Sequence, residues 1–84
     1  MFLHIEKVEY VKDYKLRLLF NNGVVKEVDL KNELYGEVFE TLKDKEEFKK
    51  VRLNPETGTI EWETGADFAP EFLFDTGIEI KQTA

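Results

Sequence analysis

The segment Asn21-Asn22-Gly23 constrains the fold of this chain more than any other. Asn and Gly tolerate the positive φ that a tight reversal needs, and here they separate two apolar-rich runs. Strands joined by so short a loop pair antiparallel. A two-residue turn would set Asp29 opposite Leu16. A three-residue loop with Gly23 in the left-handed region instead sets Val24 opposite Phe20 and Val28 opposite Leu16. The second register gathers the apolar residues on one face and is the one expected.

The flanking runs fill out a three-stranded meander. Leu16, Leu18 and Phe20 alternate inward, Lys15 and Arg17 outward, with Leu19 as the exception. The preceding run changes phase: Leu3 and Ile5 share one parity, Val8 and Tyr10 the other. A β-bulge near Glu6-Lys7 would restore a single apolar face. The third strand is expected over Val24 to Leu30, with Lys26 near an edge. Asp29, which closes this strand, is placed to cap the turn at Leu30-Lys31-Asn32.

A helical stretch follows, with Leu34, Val38, Phe39 and Leu42 on one face. Asp44 is expected to cap a second short helix, with Glu47 completing a capping box and Phe48 pointing inward. Val51 and Leu53 begin a fourth strand, Asn54-Pro55-Glu56-Thr57-Gly58 turns, and Thr59 to Trp62 answers as a fifth. Thr64-Gly65 ends that strand. Asp67 is the expected cap of a last helix, with Pro70 in its first turn and Phe68, Phe72 and Leu73 docking it. Gly77 stops the helix, and Ile78 to Lys81 alternates like a terminal strand.

This order, βββ-α-ββ-α, describes an α+β fold. A mainly antiparallel sheet forms one layer, and helices on one face form the other. Residues 1–84 read as a single domain. Nothing in the chain approaches the ~20 apolar residues of a membrane span. Its first residues lack the basic-then-apolar pattern of a secretory signal. There is no cysteine, hence no disulfide or thiolate site, and a reducing cytoplasm is the expected compartment.

Charge narrows the partners. The net charge of -6 lies wholly in the last third, where seven carboxylates face Lys81 alone. Lys49, Lys50 and Arg52 are the one basic cluster, diluted by Glu46 and Glu47, so direct nucleic-acid binding is not expected. The acidic third is either a solvated face or a patch for a basic partner protein.

Catalytic inventories are thin. His4 is the lone histidine, there is no serine, and the glycines form no phosphate-binding pattern. No cofactor and no enzymatic activity are expected. Carboxylates are abundant, and hard cations take oxygen ligands. A small-ligand or divalent-cation site built from Asp29, Glu61, Glu63 and Asp67 near Trp62 is therefore the alternative function. Trp62 itself reads either as core or as an interface anchor, since Trp is frequent among binding hot spots.

The residues Leu16-x-Leu18-x-Phe20, Asn22-Gly23 and Val28-Asp29-Leu30 are generic hairpin and core patterns. So are Phe39-x-x-Leu42 and Phe48-x-x-Val51 further on. The specific string is Trp62-x-x-Gly65-x-Asp67-x-x-Pro70-Glu71. Together, over roughly residues 5–74, they resemble a family of small bacterial proteins known as domain of unknown function 2442. The resemblance implies a small α+β fold without an established enzymatic activity. Some relatives are fused to a helix-turn-helix domain and others are encoded beside toxin-like small proteins, which implies an accessory or antitoxin-like role. After residue 75 there is no room for a DNA-binding helix pair, so a direct repressor role is not expected here.

The expected function is thus a non-enzymatic protein-binding module whose partner is encoded nearby. Its candidate interaction surface comprises Asp29, Trp62, Gly65, Asp67, Pro70 and Glu71. A weak homodimer is also expected, through a sheet edge left open if the terminal strand does not pair, and strengthened as salt screens the net charge.

Overall fold

The structure is a computed structural model and describes residues 2–81. Its four-stranded antiparallel sheet has the spatial order β1-β2-β3-β6, from β1 (Ile5–Lys12), β2 (Lys15–Phe20), β3 (Val25–Asp29) and β6 (Ile78–Glu79). A separate hairpin of β4 (Arg52–Asn54) and β5 (Thr59–Glu61) forms a second sheet. The helices are short: α1 (Glu37–Glu40), α2 (Lys45–Phe48) and α3 (Pro70–Thr76). Two 3-10 turns, Lys31–Glu33 and Thr41–Lys43, complete the segment between β3 and β4. The result is α+β and mostly sheet.

The turn chemistry sets the register. Gly23 takes φ 85°, Leu16 pairs with Val28, and the Phe20 N–H donates to the Val24 carbonyl at 2.9 Å. This is the three-residue loop, and it gathers Leu16, Leu18, Phe20 and Val28 on one face with no exposure at all. β1 carries the expected bulge: Ile5 faces Phe20 but Lys7 faces Leu19, so the phase slips once at Glu6. A second slip, between Tyr10 and Lys12, was not legible in the sequence. Tyr14, in the hairpin loop that follows, sets its ring edge-on against Phe48 at 5.4 Å.

One apolar core joins both sheets, from Ile5 and Leu18 through Phe48 and Ile60 to Trp62 and Leu73. The chain between β3 and β4 departs from one continuous helical face. It breaks into four separate turns, because Gly36 starts a helix of only four residues with no side-chain cap. Leu34 and Leu42 are buried, Phe39 is half-buried, but Val38 is 50 % exposed. Adjacent side chains on a helix stand about 100° apart, and here Phe39 takes the inward direction while Val38 turns out. Asp44 caps α2 as expected, accepting from the Glu46 N–H at 3.0 Å. Glu47 does not complete a capping box; its carboxylate pairs with Lys50 at 3.1 Å.

Two corrections concern the ends of α3. Asp67 is not its cap: Ala69 occupies the N-cap and Pro70 the first helical position. Asp67 sits two residues too early, in an isolated antiparallel bridge with Glu61. Asp67→Ala is therefore expected to change stability by less than about 0.5 kcal/mol, against ~1 kcal/mol for a lost cap. Urea unfolding of the variant checks this. The terminal strand does pair: Ile78 faces Glu27, and Glu79 faces Lys26. The edge through which a dimer was expected is thus covered. Lys26 consequently lies one strand in. It runs along the inner face and sets its ammonium 3.7 Å from the Phe74 ring centre, an apolar stem with a satisfied charge.

Among the described residues, no helix is long and apolar enough to cross a membrane.

Candidate functional site

The stretch from β5 to α3 carries five of the six candidate residues, and its local geometry follows from two turns. After Glu61 the chain reverses at Thr64-Gly65, closed by the Gly65 N–H donating to the Trp62 carbonyl at 3.0 Å. Trp62 also donates its backbone N–H to Ala66, at 2.9 Å. The segment then returns beside β5, where the Thr59 hydroxyl donates to the Phe68 carbonyl. Pro70 opens α3, where its missing N–H costs no helical bond.

Trp62 is not on the surface. Its side chain is 2 % exposed, and the indole N–H donates to the Phe48 carbonyl at 2.9 Å. Its ring lies 5.5 Å from Phe48 and 6.0 Å from Phe68. Of the two sequence readings, core packing holds, and the candidate surface loses its aromatic anchor. Asp29 stands apart as well. It points to the opposite, open face of the sheet, where it lines a hollow with Lys15, Thr76 and Ile78. Its Oδ1 accepts from the Lys31 N–H at 3.0 Å, the expected cap of that turn.

What the structure brings to the surface instead is a ladder of three phenylalanines. Phe39 from α1 lies 5.0 Å from Phe68, and Phe68 stacks on Phe72 of α3 at 5.5 Å with 13° between the planes. All three are half-buried. The Thr64 hydroxyl ties the two sides together by donating to the Val38 carbonyl at 3.3 Å, which leaves the Val38 side chain outward. Glu37, Glu40, Glu63, Asp67 and Glu71 are exposed on the same elements. Of these, Glu40 is paired with Lys43 at 3.3 Å. Gly65, Asp67, Pro70 and Glu71 lie on the same stretch of chain as Phe68 and Phe72, and Phe68 is a residue the sequence reading gave to helix docking. The adjacent Val38 and Phe39 after Gly36 were the available signal, two apolar side chains about 100° apart on one short helical turn.

The carboxylate cluster of the alternative reading does not assemble. Glu61 turns to β4, accepting from Arg52 at 2.9 Å and from the Asn54 amide at 2.7 Å. Among the described residues, no three acidic or imidazole groups converge to hold a metal ion. The Asn54 amide first, and then the Arg52 guanidinium, hold the Glu61 carboxyl below its ordinary value of 4.5. A depressed folded pKa contributes stability that is present above the ordinary value and lost as pH falls through the folded one. Glu61→Gln is therefore expected to be less stable than the parent at pH 7, with the gap closing as the pH is lowered below 4.5. Denaturant unfolding of both proteins across that range checks it; a gap constant with pH contradicts it.

No curated protein and no solved structure matches the chain. The model of one family does, over residues 5–79: Protein of unknown function (DUF2442). That span takes in the six strands and three helices of the described residues, and the chain belongs to this family.

Proposed function

We propose that this protein works by binding rather than by catalysis, and that it holds a basic, apolar-tipped segment of a partner protein on the Phe39–Phe68–Phe72 ladder. The ladder carries the reading. Three half-buried aromatic rings with exposed Val38 offer the flat apolar centre that binding surfaces favour. The exposed carboxylates around them favour a cationic partner and speed its approach. Lys or Arg side chains can also rest on the phenyl faces. The finer form of the reading comes from the family resemblance: the partner is a small toxin-like protein encoded alongside, which this chain neutralises in the cytoplasm.

Co-purification with the product of the adjacent gene tests it. The parent chain is expected to retain that product. The double variant Val38→Glu/Glu71→Lys is expected to lose it while keeping its thermal midpoint, since both side chains are exposed. A neighbour that neither binds nor is toxic when expressed alone sinks the antitoxin form. Retention by the double variant sinks the ladder as the site.

A further inference from the structure

The other face of the four-stranded sheet stays open. The residues that alternate with buried Leu16, Leu18, Phe20 and Val28 are Lys15, Arg17, Leu19, Val25, Glu27 and Asp29, and all are exposed or half-buried. Leu19 pairs with Val25, and the Val25 carbonyl accepts from the Ile80 N–H at 2.9 Å, so three aliphatic residues form one row across β2, β3 and the tail of β6. Ile78, opposite Glu27, is 77 % exposed beside that row. A hollow of about 590 Å³ opens there, bounded by Lys7, Glu9, Arg17, Leu19, Val25 and Leu53.

The charge on this face differs from that of the molecule. By register it carries Lys7, Lys12, Lys15 and Arg17 against Glu9, Glu27 and Asp29. Four cations nearly balance three anions, although the chain carries -6. Its middle row, Glu9–Arg17–Glu27, alternates in sign. A two-fold axis along the strands between β2 and β3 sets Arg17 of one copy over Glu27 of the other, Lys15 over Asp29 and Leu19 over Val25. The sheet's two edge strands, β1 and the two-residue β6, are poor templates for pairing. β6 covers β3, and β1 carries two bulges and outward lysines, features that discourage edge pairing.

We propose that this open face packs against the same face of a second copy, sheet on sheet. The surface is separate from the phenylalanine ladder, so the two readings stand or fall independently. Two copies meeting here keep their acidic elements apart, which a neutral face permits and the ladder side does not. Strands of 8, 6, 5 and 2 residues, about 3.3 Å per residue and about 4.8 Å apart, cover roughly 330 Å² in projection. A standard stable interface buries ~800 Å² per partner, so the dimer is weak and concentration-dependent.

Sedimentation equilibrium of the full chain from about 10 μM to about 1 mM reads it out. A monomer–dimer equilibrium is expected for the parent. Ile78→Glu and Val25→Glu should each weaken it at least about tenfold. Ile78→Glu keeps the experiment interpretable, because a side chain 77 % exposed can be replaced without loss of fold. Glu71→Lys, on the ladder side, should leave the equilibrium unchanged. A parent that is monomeric throughout overturns the proposal. So does a dimer indifferent to both sheet-face variants, or one abolished by Glu71→Lys.

Discussion

Replacing Trp62 with alanine is expected to cost about 3–5 kcal/mol, the range for a large aromatic removed from a core. The indole is the largest fully buried side chain and touches the rings of both Phe48 and Phe68. Its N–H donates to the Phe48 carbonyl, at the end of α2. Alanine removes the rings' neighbour and the shorter of that carbonyl's two hydrogen bonds, leaving the Val51 N–H at 3.3 Å. Against a typical domain stability of ~5–15 kcal/mol, the variant is largely unfolded or close to it. Trp62→Phe separates the two contributions. It keeps much of the ring but removes the indole hydrogen bond, at about 0.5–1.5 kcal/mol. Chemical denaturation of the three proteins measures both. An alanine variant within about 1 kcal/mol of the parent would return Trp62 to the surface.

Gly58→Ala is the second large effect. The glycine sits at φ 73°, where a Cβ costs about 1–2 kcal/mol. That Cβ would also stand 2.7 Å from the His4 Cβ. The backbone has no room to yield, because the Gly58 carbonyl accepts from the Ile5 N–H at 2.7 Å and its own N–H donates to Asn54 at 2.8 Å. Overpacking adds about 1–3 kcal/mol, for an expected total of about 2–5 kcal/mol. The double variant His4→Gly/Gly58→Ala recovers the contact and leaves the dihedral cost. Thermal unfolding of the single and double variants reads the difference; equal losses in both would mean that His4 plays no part.

Gly58 illustrates what a sequence carries and what it withholds. Its turn role follows from Asn54-Pro55 before it, a local signal. Its close approach to His4 spans more than fifty residues of chain, and no local pattern encodes it. The meander behaved in the same way. Asn21-Asn22-Gly23 and the parity change around Glu6 are short-range, and they specified the register and the first bulge. The second slip before Lys12 left no parity mark, because Tyr10 and Val11 are both apolar. Asp67 misled because an Asp shortly before Pro70 is a common helix start, yet its bridge to Glu61 is a tertiary choice that held it out of the cap position. The site divided along the same line. Gly65, Asp67, Pro70 and Glu71 were legible as one stretch. The ladder was not, because Phe39 comes from an element a long loop away and meets Phe68 only once the β5 turn has folded back.

The most direct test of the binding account is amide chemical-shift mapping of the full chain titrated with a purified basic partner, the product of the adjacent gene. The account predicts that the largest shifts cluster at Val38, Phe39, Phe68 and Phe72 and at the Thr64-Gly65 turn, and that Glu71→Lys weakens the binding. Shifts confined to the open sheet face around Leu19 and Val25, or no shifts at saturating partner, would contradict it.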